Sequence, residues 1–213
     1  MSIRLAERLK SDTRALHTAA ERSRFMGTLL RGEMQRPAYC ALLRNLHGIY
    51  ATLEPALERH AADPLIAPVF APALWRTAAI AHDLRVLHGP HWSAELPLHD
   101  AARGYCERLV GIDARQPGLL LAHAYVRYLG DLSGGQMLRG IVAHIRSAQG
   151  ASATSFYEFG DAPQTRELTL AFRRGLVDVQ ADDAQEDRLV DEARWAFEAH
   201  RALFDGLAAT GGL

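Results

Sequence analysis

Apolar residues recur at helical spacing along most of this chain, and that periodicity limits its fold more than any other feature. Near the N-terminus, Leu5, Leu9, Leu16 and Ala20 fall along one stripe, as in an amphipathic helix that buries one face. The alternation of apolar and polar residues that marks half-buried strands is scarce. The chain is therefore expected to be all-α, a bundle of helices around one core.

Turn and breaker signals divide this pattern into separate helices. Pro37, for example, suits the first turn of a helix, where its missing N–H would have no partner. Neither an internal repeat nor a linker long enough to separate domains is visible, so one domain is predicted for residues 1–213. The helices are predicted at residues 3–22, 37–60, 72–87, 98–110, 118–147, 164–179 and 183–207.

The charge balance and the cysteine content argue against several classes of protein. The chain has 24 Lys and Arg residues against 25 Asp and Glu residues, so no nucleic-acid partner is expected. A hydrophobic content of 48% is ample for a packed core. Cys40 and Cys106 form no C-x-x-C pair, which argues against a zinc site or a disulfide scaffold. Both are predicted to be buried, reduced thiols.

The two ends of the chain show no targeting signal. The opening "MSIRLAERLK" is charged from Arg4 onward and lacks the apolar centre of a secretory signal. The closing "FDGLAATGGL" is not a hydrophobic tail, and no apolar run is long enough to span a bilayer. We expect a soluble, cytoplasmic protein without a membrane anchor.

The stretch "YVRYLGDLSGGQ", residues 125–136, places three glycines within a strongly helical segment. Each glycine inside a helix costs about 1 kcal/mol relative to alanine. Gly130 and Gly134 are four residues apart and share one helix face, which would be a trough without side chains. Either another helix crosses closely there or a flat ligand approaches the main chain, and Gly134–Gly135 is a candidate kink.

The polar residues beside this trough are harder to explain by a helix crossing. Asp131 and Ser133 place oxygen atoms next to the glycines. Asp131 also follows Arg127 by four residues, so the simplest alternative is an exposed ion pair along the helix. The glycine spacing alone favours the crossing, whereas the neighbouring polar groups favour a ligand.

His17 is a candidate metal ligand on a different predicted helix. It adjoins the apolar stripe and precedes Glu21 by four residues, so the carboxylate could accept a hydrogen bond from the imidazole nitrogen that does not bind metal. A histidine at the core edge with a helical partner is the alternative. Lys10 lies seven residues earlier, about 10 Å along the helix. That distance suits a haem iron and its propionates, although a surface lysine is the simpler reading.

These motifs together resemble the haem oxygenases. "YVRYLGDLSGGQ" resembles the signature segment of that family, and "LKSDTRALHTAAE" resembles its proximal helix. Further familial segments are "FMGTLLRGEMQRPAY", "LLLAHAYVRY" and "VDEARWAFEAHRALFDGL", so the resemblance covers most of the chain. It implies a helical bundle in which haem lies between a proximal N-terminal helix and a kinked, glycine-rich distal helix.

The resemblance also implies roles for individual residues. His17 would bind the iron and Glu21 would hold its ring. Gly130 and Gly134 would cover the distal face of the haem. Asp131 would hold the water network that delivers protons, supported by Tyr50 and Arg127. The implied propionate ligands are Lys10, Tyr125 and Arg173.

The implied reaction cleaves haem b, which is both substrate and cofactor, at a meso carbon. With O2 and electrons it would yield biliverdin, Fe2+ and CO, with the alpha carbon as the default position. The chain shows neither a G-x-G-x-x-G motif nor a cysteine cluster, so a ferredoxin, a flavoprotein or an NADPH-dependent reductase would supply the electrons. Arg173 and Arg174 are candidate contacts for that donor.

Three other functions are alternatives to haem cleavage. A haem-binding or haem-transfer protein without turnover need not keep Asp131. A di-metal carboxylate protein calls for Glu-x-x-His motifs, which this sequence lacks. A helical interaction module gives no reason for His17 and the glycine trough to occur together.

Two positions depart from the pattern of the family. Thr169 falls where the mammalian enzymes have a lysine, so propionate binding is only partly inherited. His200 falls where many members have an asparagine that contacts the distal water network. It could change proton supply or be merely tolerated, and the position of ring cleavage stays open.

Overall fold

The computed structural model describes residues 3–210, and helices account for most of that range. No strand occurs in it, although Arg146 and Ser152 form an isolated bridge. The expected all-α fold is confirmed. Its α-helices are α1 (Ile3–Glu21), α2 (Arg24–Leu30), α3 (Arg36–Arg59), α4 (Thr77–Leu87), α5 (Trp92–Glu95), α6 (Asp100–Arg115), α7 (Leu120–Val142), α8 (Ala162–Asp178) and α9 (Asp183–Ala209).

Four predicted helices agree with the structure to within two residues at each end, namely α1, α3, α8 and α9. The short helices α2 and α5 were not predicted. In α2 a glycine and a threonine weaken the helical signal of "RFMGTLL", and the Ser23 side chain caps the helix by accepting from the Met26 N–H at 3.3 Å. The predicted limits at residues 1 and 213 lie outside the described range.

The prediction for residues 72–87 was wrong at its start, because a partner distant in sequence fixes where α4 begins. Pro72–Leu74 forms a separate 3-10 turn, and α4 starts only at Thr77. The buried carboxylate of Glu54, on α3, accepts hydrogen bonds from the backbone N–H groups of Arg76 and Thr77. Those donors have no partner within the helix, so Glu54 satisfies them and sets its first residue.

The predicted helices 98–110 and 118–147 also had wrong ends. α6 starts at Asp100, after His99 caps the Ala101 N–H at 3.1 Å, and continues to Arg115. α7 stops at Val142. Beyond it, the Ser147 hydroxyl accepts from two backbone N–H groups of its own loop, at 3.1 and 3.2 Å. Serine competes with helices in this manner.

α9 is the helix against which both candidate site helices pack. Along α1, Arg8 bonds Asp187 at 2.6 Å and the ring of His17 lies 5.7 Å from that of Phe197. Along α7, His123 contacts Glu192 at 3.1 Å, and a later residue, Arg127, contacts His200, also at 3.1 Å. Residue numbers rise together in both pairings, so α1, α7 and α9 run in the same direction.

The core is one continuous cluster of buried apolar side chains drawn from all the longer helices. Cys40 is buried in it, whereas Cys106 is only partly buried, so the prediction of burial was wrong for that cysteine; both are free thiols. In the described part of the chain no helix combines the length and the apolar character needed to cross a membrane.

Two glycines on different helices provide a test of this packing. A Cβ at Gly175, on α8, would collide with the backbone carbonyl of Pro68, whereas a Cβ at Gly104, on α6, would meet nothing within 4 Å. We expect Gly175→Ala to lower the free energy of unfolding by about 1–3 kcal/mol. The control Gly104→Ala should raise it by up to about 1 kcal/mol. Urea unfolding measures both, and an unaffected Gly175→Ala variant would contradict the described contact.

Candidate haem site

The glycine face of α7 is open. Among residues 3–210, a Cβ at Gly130 would meet nothing within 4 Å, and a Cβ at Gly134 would meet only Leu138 of the same helix, at 3.7 Å. A helix crossing would place atoms of a second helix there, so the crossing alternative is wrong for these two positions. Gly135 is different, because it is packed against Tyr157 and a Cβ on it would lie at ordinary contact distance, 3.6 Å, from that ring.

The helix continues without interruption through all three glycines, from Leu120 to Val142. The bend expected at Gly134–Gly135 stays a prediction. The open face therefore belongs to a regular helix whose main chain is bare over two turns. The missing side chains give a planar group direct access to the backbone at Gly130 and Gly134.

A buried polar network adjoins this face. Asp131 is only 7% exposed, so the reading of an exposed ion pair is wrong. Its Oδ1 accepts from Arg127 Nη2 at 2.9 Å, and its Oδ2 accepts from the Tyr50 hydroxyl. Arg127 Nε in turn donates to the Tyr50 oxygen at 3.2 Å. The structure thus brings together the three residues that the sequence predicted as a unit.

Burial governs the protonation of these groups. It raises the pKa of Asp131, and the Arg127 charge and the Tyr50 hydrogen bond oppose that rise without cancelling it. Burial also raises the pKa of Tyr50 well above its usual value, so the phenol keeps its proton. For Arg127 burial acts downward, but Asp131 and Tyr50 outweigh it and its pKa is raised. The network therefore has one fixed cation and one carboxyl group that is harder to ionise than usual.

Arg76 acts on the same carboxyl group and was missed by the sequence analysis. It is buried, and its charge lowers the pKa of Asp131. Its guanidinium bonds the carbonyls of Leu74 and Glu158 at 3.0 and 2.8 Å and stacks on Phe159 at 3.9 Å. No local pattern could have revealed it, because Asp131, Glu158 and Phe159 lie far from Arg76 in the sequence.

His17 projects from α1 with about half of its side chain exposed. Its Nδ1 lies 3.5 Å from a Glu21 oxygen, and the two side chains are 48% and 57% exposed. Among the described residues no polar partner contacts Nε2, and the ring edge faces Phe197. The geometry suits a ligand oriented by a carboxylate, and the iron-binding role itself stays a prediction.

The proposed propionate ligands lie on neighbouring helices. Lys10 and Arg173 are both exposed, on α1 and on α8, and these two helices pack together. Tyr125 is partly buried, and the pKa of its phenol is raised by burial in spite of the Thr13 hydroxyl beside it. At the departure position, the Thr169 hydroxyl bonds the Thr165 carbonyl of its own helix at 2.8 Å.

Thr13 and Tyr125 join α1 to α7 near the candidate site. Thr13 lies one turn before His17, and Tyr125 lies five residues before Gly130. His17 follows this contact along α1, and the glycine face follows it along α7. Since the two helices run in the same direction, the imidazole and the glycine face lie toward the same end of the bundle. The donor set and the bare helix face fit a haem: an accessible imidazole on one helix and a flat surface on the other.

His200, the second departure, is part of the buried network. It is 3% exposed. Its Nε2 lies 3.1 Å from Arg127 Nη1, and its Nδ1 lies 2.8 Å from the Ala196 carbonyl. Burial, followed by the charge of Arg127, lowers the pKa of His200 well below the usual value. The ring is therefore neutral at physiological pH.

Because the network contains a buried cation, removing the charge of Arg127 should strongly destabilise the fold. Arg127→Met would leave the Asp131 carboxyl group buried without its partner, and we expect the free energy of unfolding to fall by about 3–5 kcal/mol. The control Arg174→Met removes an exposed arginine and should change it by less than about 0.5 kcal/mol. Urea unfolding at neutral pH compares them. Equal stability of the two variants would show that the Arg127 pair contributes nothing.

Known proteins resemble this chain over nearly its whole length. A family model described as heme oxygenase matches residues 3–206. Heme oxygenase 1 of Nostoc sp. is 34% identical over 207 residues, which cover 97% of this chain and 87% of the relative. Heme oxygenase 1 of Homo sapiens is 34% identical over 205 residues, covering 95% of this chain and 71% of the relative.

Solved structures give the same result. The crystal structure of heme oxygenase-2 from Synechocystis sp. in complex with heme and NO is 35% identical, with a TM-score of 0.89, and the match covers 97% of this chain and 86% of that chain. Heme oxygenase from Leptospira interrogans is 30% identical with a TM-score of 0.87, covering 96% and 98%. The sequence and the fold agree, and this chain belongs to the heme oxygenase family.

Proposed function

We propose that this protein is a haem-degrading oxygenase that opens haem b at a meso carbon to give biliverdin, Fe2+ and CO. The observation that carries the proposal is the open face at Gly130 and Gly134 next to the buried pair of Asp131 and Arg127. The first offers a surface for a planar substrate, and the second offers a group that can hold and pass protons. Relatives bearing the name heme oxygenase support the assignment.

His17 would hold the haem from the proximal side. Its ring is half exposed, and Nδ1 faces Glu21. An acceptor at Nδ1 fixes the tautomer and leaves the Nε2 lone pair for a metal. Lys10, Tyr125 and Arg173 would seat the propionates. When bound, haem supplies both the metal centre at which O2 is reduced and the ring carbon that is oxidised.

The glycines of α7 would determine which ring edge reacts. Because Gly130 and Gly134 carry no side chains into the open space, the main chain itself forms the distal wall. A wall of backbone is close and rigid, so it limits how a small ligand can tilt above the ring. The position of cleavage then depends on the rotation of the haem, and the alpha carbon is the proposed default.

Asp131 would hold the water network that delivers protons. Both of its oxygens are already bonded, to Arg127 and to Tyr50, and Tyr50 keeps its proton. The carboxyl group is therefore held in place, and the lone pairs that remain on its oxygens could bind ordered water that passes protons in from solvent.

The electrons would come from a ferredoxin, a flavoprotein or an NADPH-dependent reductase. Arg173 and Arg174 are exposed on α8 and would present positive charge to an acidic donor. The cytoplasmic location expected from the sequence stays a prediction.

His17→Ala tests the proximal ligand. The variant should lose the normal axial ligation, so the absorption spectrum of its ferric haem complex should change, and added imidazole should restore it. The control His91→Ala removes another exposed histidine and should leave the spectrum unchanged. An unaltered haem spectrum in His17→Ala would eliminate this residue as the iron ligand.

A single turnover tests the activity. The protein is loaded with hemin and given an electron source under O2 with catalase present, and the products are identified by absorbance and chromatography. Loss of the Soret band with release of iron and a biliverdin isomer is expected. Asp131→Ala should bind hemin but form little bilin, whereas the exposed control Asp178→Ala should match the wild type. A haem complex that survives several electron donors would point to binding or transfer without turnover.

A further inference from the structure

His200 makes a contact that reaches across helices to the proposed proton-handling group. It is on α9, yet its ring nitrogen Nε2 lies 3.1 Å from Nη1 of Arg127 on α7. Its other ring nitrogen, Nδ1, lies 2.8 Å from the carbonyl of Ala196, one turn earlier on its own helix. Both nitrogens of this buried imidazole are therefore committed.

These two partners define a single tautomer. The Ala196 carbonyl can only accept a hydrogen bond, so Nδ1 must carry the proton. The neutral ring then has a lone pair at Nε2, which can only accept, and the guanidinium of Arg127 can only donate. The arrangement has one consistent assignment: Nδ1–H donates to Ala196, and Arg127 donates to Nε2.

The contact completes the fixation of the Arg127 guanidinium. Nε donates to Tyr50 on α3 at 3.2 Å, Nη2 donates to Asp131 on α7 at 2.9 Å, and Nη1 donates to His200 on α9 at 3.1 Å. The guanidinium is planar, so three acceptors on three helices leave it one orientation. Without His200 the guanidinium would be held only along the edge formed by Nε and Nη2.

The ring of His200 is itself restrained by packing against Tyr105. The Tyr105 ring packs against it at 4.9 Å with an interplanar angle of 75°. The Tyr105 hydroxyl bonds His123 at 2.8 Å, His123 bonds Glu192 at 3.1 Å, and Glu192 is paired with Arg108 at 2.5 Å. This chain of contacts, buried up to the half-exposed Arg108, restrains Tyr105 and, with it, the tilt of the imidazole.

We infer that His200 is a positioning residue, which fixes the orientation of Arg127 and through it the carboxyl group of Asp131. The inference deepens the proposed function and rests on it for the role of Asp131. An asparagine at this position would carry a donor and an acceptor on one rotatable amide and could present either to Arg127. The histidine, tied at Nδ1, presents an acceptor alone.

The first test reads the tautomer in the protein without haem. Nitrogen-15 NMR of the histidine side chains, assigned by comparison with His200→Gln, should show His200 as the neutral Nδ1–H form at pH 7. A neutral Nε2–H form or a protonated ring would overturn the inference, because neither can accept from Arg127. This measurement does not depend on catalysis, so it separates failure of the inference from failure of the proposed function.

The second test reads the effect on the site. The ferric haem complex is titrated with alkali while its absorption spectrum is recorded. The midpoint, which is the pH at which half of the complex has changed its spectrum, is compared among variants. His200→Leu should shift the midpoint by about one pH unit, a tenfold change in the proton equilibrium. His200→Gln, whose side-chain oxygen can reach the place of Nε2, should recover more than half of the shift. The packing control Leu203→Ala, buried on the same helix, should leave the midpoint unchanged.

A double-mutant cycle shows whether the effect passes through the network. In an Asp131→Asn background, His200→Leu should no longer move the midpoint, since the carboxyl group on which it acts is gone. A shift of equal size in both backgrounds, or none in either, would overturn the inference. If His200→Leu does not fold, the cycle is run with His200→Gln, for which the smaller shift should likewise vanish.

Discussion

The charge of Arg127 is the feature around which the candidate site is built. Its side chain is only 11% exposed, and a buried guanidinium is stable only where acceptors surround it. Those acceptors come from α3, α7 and α9, so satisfying one charge fixes the relative positions of three helices. The same contacts hold Asp131 beside the glycine face. Stability and the arrangement of the site thus depend on one set of hydrogen bonds.

The bare face of α7 shows how function and helix stability oppose each other. Alanine at Gly130 would fit the observed space and would favour the helix by about 1 kcal/mol. The glycine is not required by packing, unlike Gly175 against Pro68. The helix stability lost at Gly130 is explained if a planar ligand has to approach the main chain there. The surrounding core of apolar side chains compensates for that loss.

The departures at Thr169 and His200 have different meanings. The Thr169 hydroxyl donates to a carbonyl of its own helix, so its donor is already used within α8. His200, in contrast, is integrated into the buried network through both ring nitrogens. A neutral imidazole satisfies the same guanidinium that an amide oxygen could satisfy, which explains how the fold accommodates the change.

The sequence by itself determined the helical class and the limits of the helices that end at local signals, because amphipathic periodicity and capping residues act over one or two turns. It also identified Tyr50, Arg127 and Asp131 as a group, through a resemblance to known proteins rather than through spacing. Only the tertiary structure decided that Glu54 sets the start of α4, that Arg76 acts on Asp131, and that Gly130 faces open space. Each of these depends on residues far apart in the chain that meet only when the helices pack, and no local pattern records which buried charge will face which partner.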